Sequence, residues 1–152
     1  MRRKDRQITQ RDEIDTIINA CQVCRLALAR DNQPYIVPVC FGYDGGAVYL
    51  HTARKGKKID FFLANDRVCF EFEGDVRLKK DEEKACKWSF FYESVVGEGT
   101  ISELTEPKEM QYGLNRIMKQ YSGKSWRFDA ESMAGLRVWK ITIASINGKR
   151  SA

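Results

Sequence analysis

From Tyr35 to Asp60 the chain spells two apolar runs joined by Asp44-Gly45-Gly46, then a basic turn that opens a helix. Asp-Gly between two such runs is a strong hairpin signal, because glycine supplies the positive φ a tight turn needs. The second run alternates Val48 and Leu50 against Tyr49 and His51, with Thr52 at its end. Gly56 lets the backbone turn, and Lys57 and Lys58 fall in the first turn of a helix running to about Leu63, with Ile59, Phe62 and Leu63 as its apolar face. Lysines are disfavoured at a helix N-terminus, where the macrodipole is positive. Placed there beside unpaired backbone N–H groups, they make a cradle suited to an anion, most often a phosphate. A solvated basic turn has the same composition, so the rest of the chain decides between the two.

The 152 residues fit one domain, and a 43% hydrophobic content is enough for a packed core. No apolar run approaches the length of a membrane-spanning helix. The charged start MRRKDRQITQRDEID has no apolar segment behind it, so a signal peptide is not expected and the expected compartment is cytoplasmic. Five cysteines, an odd number at scattered spacings, argue against a disulfide framework. Cys21-Gln22-Val23-Cys24 has the C-x-x-C form, but no second pair exists and the one histidine is at 51, so a zinc site lacks ligands. The pair closes a helix and opens a strand, the reverse of a thioredoxin-like motif, and buried reduced thiols are the expectation. The net charge of +5 gathers at Arg2 to Arg11, Arg54 to Lys58, and Lys149-Arg150. Such a balance suits nucleic acid, a membrane surface or an anionic small molecule.

Taken in order, Thr9 is placed to cap a helix whose face is Ile14, Ile17, Ile18 and Cys21. Cys24 to Ala29 alternates as a strand, and Asp31-Asn32-Gln33-Pro34 turns the chain. Tyr35 to Tyr43 is apolar on both faces and is expected to be covered on both. Pro38 removes a ladder donor there, either at an edge or where the strand leaves its neighbour and lines a ligand. Arg67 to Glu73 alternates as a half-exposed strand, and Asp75 to Lys84 reads as a solvated loop. Trp88 to Leu104 is too long for one flat strand, and Gly97 and Gly99 predict a bulge or bend. A helix opens at Pro107, carries the stripe Met110, Leu114, Ile117, Met118 and Tyr121, and stops at Gly123. Asp129 caps a short turn, and Leu136 to Ile146 closes the chain as a strand before a polar GKRSA tail. The sum is mainly β with α: a small barrel of about six antiparallel strands with flanking helices.

Three stretches in this order resemble the FMN-binding split barrel of the pyridoxamine 5'-phosphate oxidase superfamily, and within it the nitroimidazole-resistance group. They are CRLALARDNQPYIVPVCFGYDGGAVYLHTARKGKKIDFFLANDRVCFEF, YESVVGEGTISEL and VWKITIASINGK, together spanning about Cys21 to Lys149. The resemblance implies one FMN-binding split-barrel domain over 1–152 and a homodimer with two FMN sites at the subunit interface. It also implies site residues. Val37, Pro38 and Val39 match the strand whose backbone lines the isoalloxazine. Leu50, His51 and Thr52 match the strand end that approaches the flavin and its ribityl phosphate. Lys57 and Lys58 match the helix start that binds the phosphate, and Ser94 matches a polar position reaching the flavin from the long strand. The sequence departs from the family where Asn65-Asp66-Arg67 replaces the usual Asn-Pro. It departs again where Tyr35 and Cys40 stand in place of the basic residues of pyridoxamine phosphate oxidases, which argues against vitamin B6 oxidation.

The expected function is an FMN-dependent oxidoreductase, nitroreductase-like, taking electrons from a donor and reducing nitroaromatic or related small molecules. FMN carries the electron chemistry, and the protein binds, orients and excludes water. No catalytic residue is assigned: His51 fits a half-buried strand as well as a flavin contact, and it has no carboxylate partner in the sequence pattern. The alternative is a flavin- or ligand-binding split barrel without turnover. A single-stranded nucleic-acid binder is disfavoured, because Glu71, Glu73, Glu93 and Glu98 put negative charge on the strands.

Overall fold

The computed structural model describes residues 4–151. Arg2 and Arg3 of the N-terminal basic cluster, and Ala152 of the expected tail, lie outside them. Eight strands form one antiparallel sheet: β1 (Gln7–Ile8), β2 (Cys24–Arg30), β3 (Gln33–Val39), β4 (Gly42–Tyr43), β5 (Ala47–Ala53), β6 (Arg67–Lys79), β7 (Ser89–Leu104) and β8 (Leu136–Ser151). Their order is β3-β2-β6-β7-β8-β5-β4, with β1 against β8. The helices are α1 (Arg11–Ala20), α2 (Lys57–Ala64), α3 (Pro107–Ser122) and α4 (Ala130–Ala134). This is a split barrel with flanking helices, and its sheet is not closed.

The turns are local chemistry. Asp31 and Asn32 take positive φ of 50° and 60° between the paired Arg30 and Gln33, a two-residue loop whose twist matches the strands. At the next hairpin, Asp44 Oδ1 accepts from the Gly46 and Ala47 N–H groups at 3.0 and 2.8 Å, an Asx turn.

The core lies inside the curl of the sheet. Leu26, Phe41, Phe70, Phe72, Leu50 and Val95 are fully buried there, with Ile14, Ile17 and Ile18 of α1 and Ile59 and Phe62 of α2. Each large side chain buried this way contributes about 1.5–3 kcal/mol. A second cluster packs α3, through Leu114 and Ile117, on Tyr49 of β5, Leu104 and Val138. The bend foreseen in the long strand is a register shift between Glu98 and Gly99. A Cβ on Gly97 would lie 2.2 Å from the Phe70 ring and one on Gly99 2.3 Å from the Thr142 carbonyl oxygen, so neither position has room for a side chain.

Several expectations are corrected. The residue capping α1 is Gln10, with no side-chain cap bond, rather than Thr9. The buried face of α2 is Ile59, Phe61 and Phe62; Leu63 is 66% exposed, because the helix packs under β3 with Phe61 turned toward Tyr35. The Tyr35–Tyr43 run divides into β3 and β4. Because β3 is a sheet edge, its outward residue Ile36 is 65% exposed in the single chain. Pro38 stays in register opposite Arg25, so it takes the edge reading. The expected loop after Glu73 is strand as far as Lys79, since Arg77, Leu78 and Lys79 pair with Phe91, Phe90 and Ser89. The expected polar tail pairs with β7 through Ser151 opposite Tyr92.

Candidate functional site

Two unpaired strand edges define the site. Among the described residues, β3 has no strand neighbour on its outer side, and β4 pairs with β5 only at Gly42–Tyr49 and Tyr43–Val48. Residues 50–53 of β5 pair with β8 on one side and, among the described residues, with no strand on the other. Strand edges of this kind offer rows of N–H and C=O groups to whatever lies alongside.

The start of α2 follows β5 directly and meets β3 at Tyr35. Gly56, the capping residue, has φ 150° and ψ 157°, a conformation essentially confined to glycine, and no side chain caps the helix. The N–H of Ile59 donates to the Gly56 carbonyl at 2.9 Å, while the N–H groups of Lys57 and Lys58 have no acceptor among the described residues. Both are first-turn donors of the kind a helix leaves unsatisfied. The Lys57 ammonium lies 4.8 Å from the centre of the Tyr35 ring, and Tyr35 and Phe61 stack at 5.0 Å, so α2 is tied to β3. Neither Lys55, Lys57 nor Lys58 forms an ion pair among the described residues. Arg54, by contrast, donates to the Ala134 carbonyl at 2.7 Å and so holds the end of α4.

The β5 residues present different faces. Leu50 is fully buried and can offer only backbone. The Thr52 hydroxyl accepts from the Trp139 indole N–H at 3.0 Å and donates to the Ala53 carbonyl at 2.8 Å, so its side chain is committed inward. His51 points outward. The protein packed around it, and then the Lys58 charge, lower its pKa from the ordinary value, which keeps the ring neutral near pH 7 with one donor and one acceptor nitrogen. On β3, Val37 and Val39 turn inward and Pro38 outward.

Ser94 stands apart. It pairs with Glu73 and Lys149, whereas β5 meets β8 over Leu136–Thr142. The run from Thr142 to Lys149 separates them by roughly 24 Å along the strand at about 3.4 Å per residue. Lys57 thus meets β3 at Tyr35 and the Lys58 charge acts on His51 of β5, so β3, β5 and α2 are linked at the opening beside this turn, and Ser94 lies outside it within one chain. Sequence reading missed the tie between Lys57, Tyr35 and Phe61, although Tyr35 shares the inward phase of Val37 and Val39. It also missed Trp139 as the partner of Thr52, for which no local signal exists. The C-x-x-C thiols are buried and free, and burial pushes the Cys24 thiol well up. No helix among the described residues is long and apolar enough to cross a membrane.

The comparisons with known proteins bear on the family and the fold. A family model described as pyridoxamine 5'-phosphate oxidase matches residues 10–150. An uncharacterized protein, RA0666, of Rhizobium meliloti strain 1021 is 34% identical over 65 residues, 43% of this chain and 42% of that protein, so the match spans under half of that curated relative. The crystal structure of a candidate 5-nitroimidazole antibiotic resistance protein from Bacteroides thetaiotaomicron VPI-5482 superposes with a TM-score of 0.83 at 26% identity, over 94% of this chain and 85% of that one. An FAD-binding protein of Mesorhizobium loti gives 0.69 at 25% identity over 97% and 98%. The flavocytochrome Anf3 of Azotobacter vinelandii gives 0.86 at 16% identity over 100% and 72%, a likeness of fold alone. With the matched residues running from 10 to 150, the chain belongs to the pyridoxamine 5'-phosphate oxidase family and has its flavin-binding split-barrel fold.

Proposed function

We propose that the chain is an FMN-dependent oxidoreductase of the nitroimidazole-resistance type, acting as a homodimer. The observation that carries the reading is the start of α2, directly after β5 and in contact with Tyr35 of β3, where two N–H groups have no acceptor and the lysines have no ion-pair partner among the described residues. Lys57, Lys58 and the N–H groups of the first turn would hold the phosphate. The edges at Val37–Val39 and Leu50–Thr52 would lie along the ring, and neutral His51 would offer it a hydrogen bond. When bound, FMN supplies the electron transfer, from a reduced nicotinamide or a reductase to a nitroaromatic or related acceptor. The name of the Bacteroides structure supports the acceptor class. The remoteness of Ser94 from β5 supports a dimer, because a second copy could bring that residue to the opening.

The second reading, flavin binding without turnover, is favoured by the absence of any carboxylate partner to His51 among the described residues. The visible spectrum of the purified protein, recorded before and after FMN addition and desalting, tests the cofactor. A retained two-band flavin spectrum that disappears in the Lys57→Ala/Lys58→Ala variant is expected; no retained colour removes the cofactor assignment. Bleaching of the retained bands by reduced nicotinamide, with reoxidation by a nitroaromatic, then separates turnover from binding alone.

A further inference from the structure

A cavity of about 470 Å³ lies at the far end of β5 from α2, walled by α1, the β4–β5 turn and α3. From Ala47 to Ala53 is roughly 20 Å along the strand at about 3.4 Å per residue, so this cavity is separate from the flavin opening. Its hydrogen-bonding capacity is unevenly used. Asp15 Oδ1 accepts from Arg11 Nε at 3.0 Å and from the Tyr43 hydroxyl at 2.6 Å. Asp44 accepts from two backbone N–H groups and, through Oδ2, from the Tyr49 and Tyr112 hydroxyls at 2.8 and 3.0 Å. Burial pushes the Asp44 carboxyl up, but those four donors outweigh it and hold the group below the usual carboxylate value. Both acids in the wall are therefore already supplied with donors.

The cations in the same wall are not matched. Arg116 and Lys119, three residues apart on one face of α3, form no ion pair among the described residues. The Arg116 guanidinium lies 4.7 Å from the centre of the Tyr112 ring, a contact that spends none of its N–H donors. A guanidinium with unspent donors can take a planar or tetrahedral oxyanion through two parallel bonds. Gln120, in the same wall, spends its amide N–H groups on the Asn19 and Cys21 carbonyls at 3.0 Å each, which leaves its oxygen as an acceptor, and the Asn19 side-chain amide has no hydrogen-bond partner among the described residues. Donors for an anion thus stand next to groups that would hold hydroxyls.

We propose that this cavity is a second binding site, for a small polar metabolite carrying a carboxylate or phosphate group, with Arg116 and Lys119 on the anion and Asn19 and Gln120 on its hydroxyls. The volume lies within the range of small-molecule sites. The site does not depend on the flavin assignment.

Calorimetric titration of the full chain tests it, with ribose 5-phosphate, citrate and inorganic phosphate as probes and excess FMN present to fill the flavin opening. The expected result is binding of ribose 5-phosphate or citrate, and which of the two binds identifies the oxyanion. Binding should weaken at least ten-fold in Arg116→Met and in Lys119→Gln and persist in Lys57→Ala/Lys58→Ala. Lys119 is exposed, so Lys119→Gln keeps the test valid if Arg116→Met fails to fold. Silence from all three probes overturns the proposal, as does binding that is lost in Lys57→Ala/Lys58→Ala and kept in Lys119→Gln.

Discussion

The Lys57 ammonium stands over the Tyr35 ring at 4.8 Å, which joins the first residue of α2 to the edge strand β3. Such a contact contributes about 0.5–1 kcal/mol where partly exposed. Replacing Tyr35 with Leu keeps an apolar body but removes the ring face. In a double-mutant cycle with Lys57→Ala, urea unfolding should give a coupling of about 0.5–1 kcal/mol. FMN retention on desalting should fall in both single variants. Strict additivity of the two substitutions would show that the ring does not hold the lysine.

His51 is the one histidine of the chain, so its ring protons give an unambiguous NMR titration. Its pKa should fall below the ordinary 6.5, because burial and then Lys58 disfavour the charged form, and Lys58→Ala should raise it. The sign for stability follows. Between the lowered folded value and 6.5 the unfolded chain binds a proton that the folded chain refuses, so stability increases with pH through that window. The contribution is complete above the unfolded value and is lost as pH falls below it. A histidine titrating at or above 6.5 would show that neither desolvation nor the Lys58 charge acts on the ring.

Much of the fold is legible because strands with one buried face announce themselves. Cys24 to Arg30 alternates buried and exposed as the apolar pattern demands, and Gly97 and Gly99 foretell the bend in β7. The misread segments are those whose state is set by a partner strand. Asp75 to Lys79 alternates Val76 and Leu78 against Asp75, Arg77 and Lys79, but this short period is lost in a charged run, and that part of the β6–β7 hairpin projects beyond the core with both faces exposed. The closing Gly148 to Ser151 is strand because β7, and at its start β1, supply its bonds. The candidate site divides in the same way. Gly56, Lys57 and Lys58 are consecutive, so their cradle is visible in the sequence. Ser94 and β5 are linked only through the sheet, and no local pattern shows how far apart they stand.

Thr52 offers a separate test, because its hydroxyl is buried and already shared. Thr52→Val keeps the shape but leaves the Trp139 indole N–H without its acceptor, a loss of about 1–3 kcal/mol. Thr52→Ser should restore most of that loss. The near-UV circular dichroism of Trp139 should change in the valine variant and recover in the serine one. If Thr52→Val leaves stability unchanged, the hydroxyl is free to serve a ligand rather than the core.

Gly56 sets the direction in which the first turn of α2 points its N–H groups. Its φ of 150° with ψ of 157° lies where an L side chain is strained, yet a Cβ there would meet no atom within 4 Å. The whole cost of Gly56→Ala is therefore backbone strain, about 1–3 kcal/mol. The chain has two ways to respond: hold the conformation and lose that stability, or relax the turn and swing the Lys57 and Lys58 N–H groups away from the opening. Urea unfolding and FMN retention, measured on the same variant, distinguish them. Lower stability with flavin retained marks the first, and near-normal stability with flavin lost marks the second. A variant unchanged in both would show that the glycine conformation is not needed for the cradle.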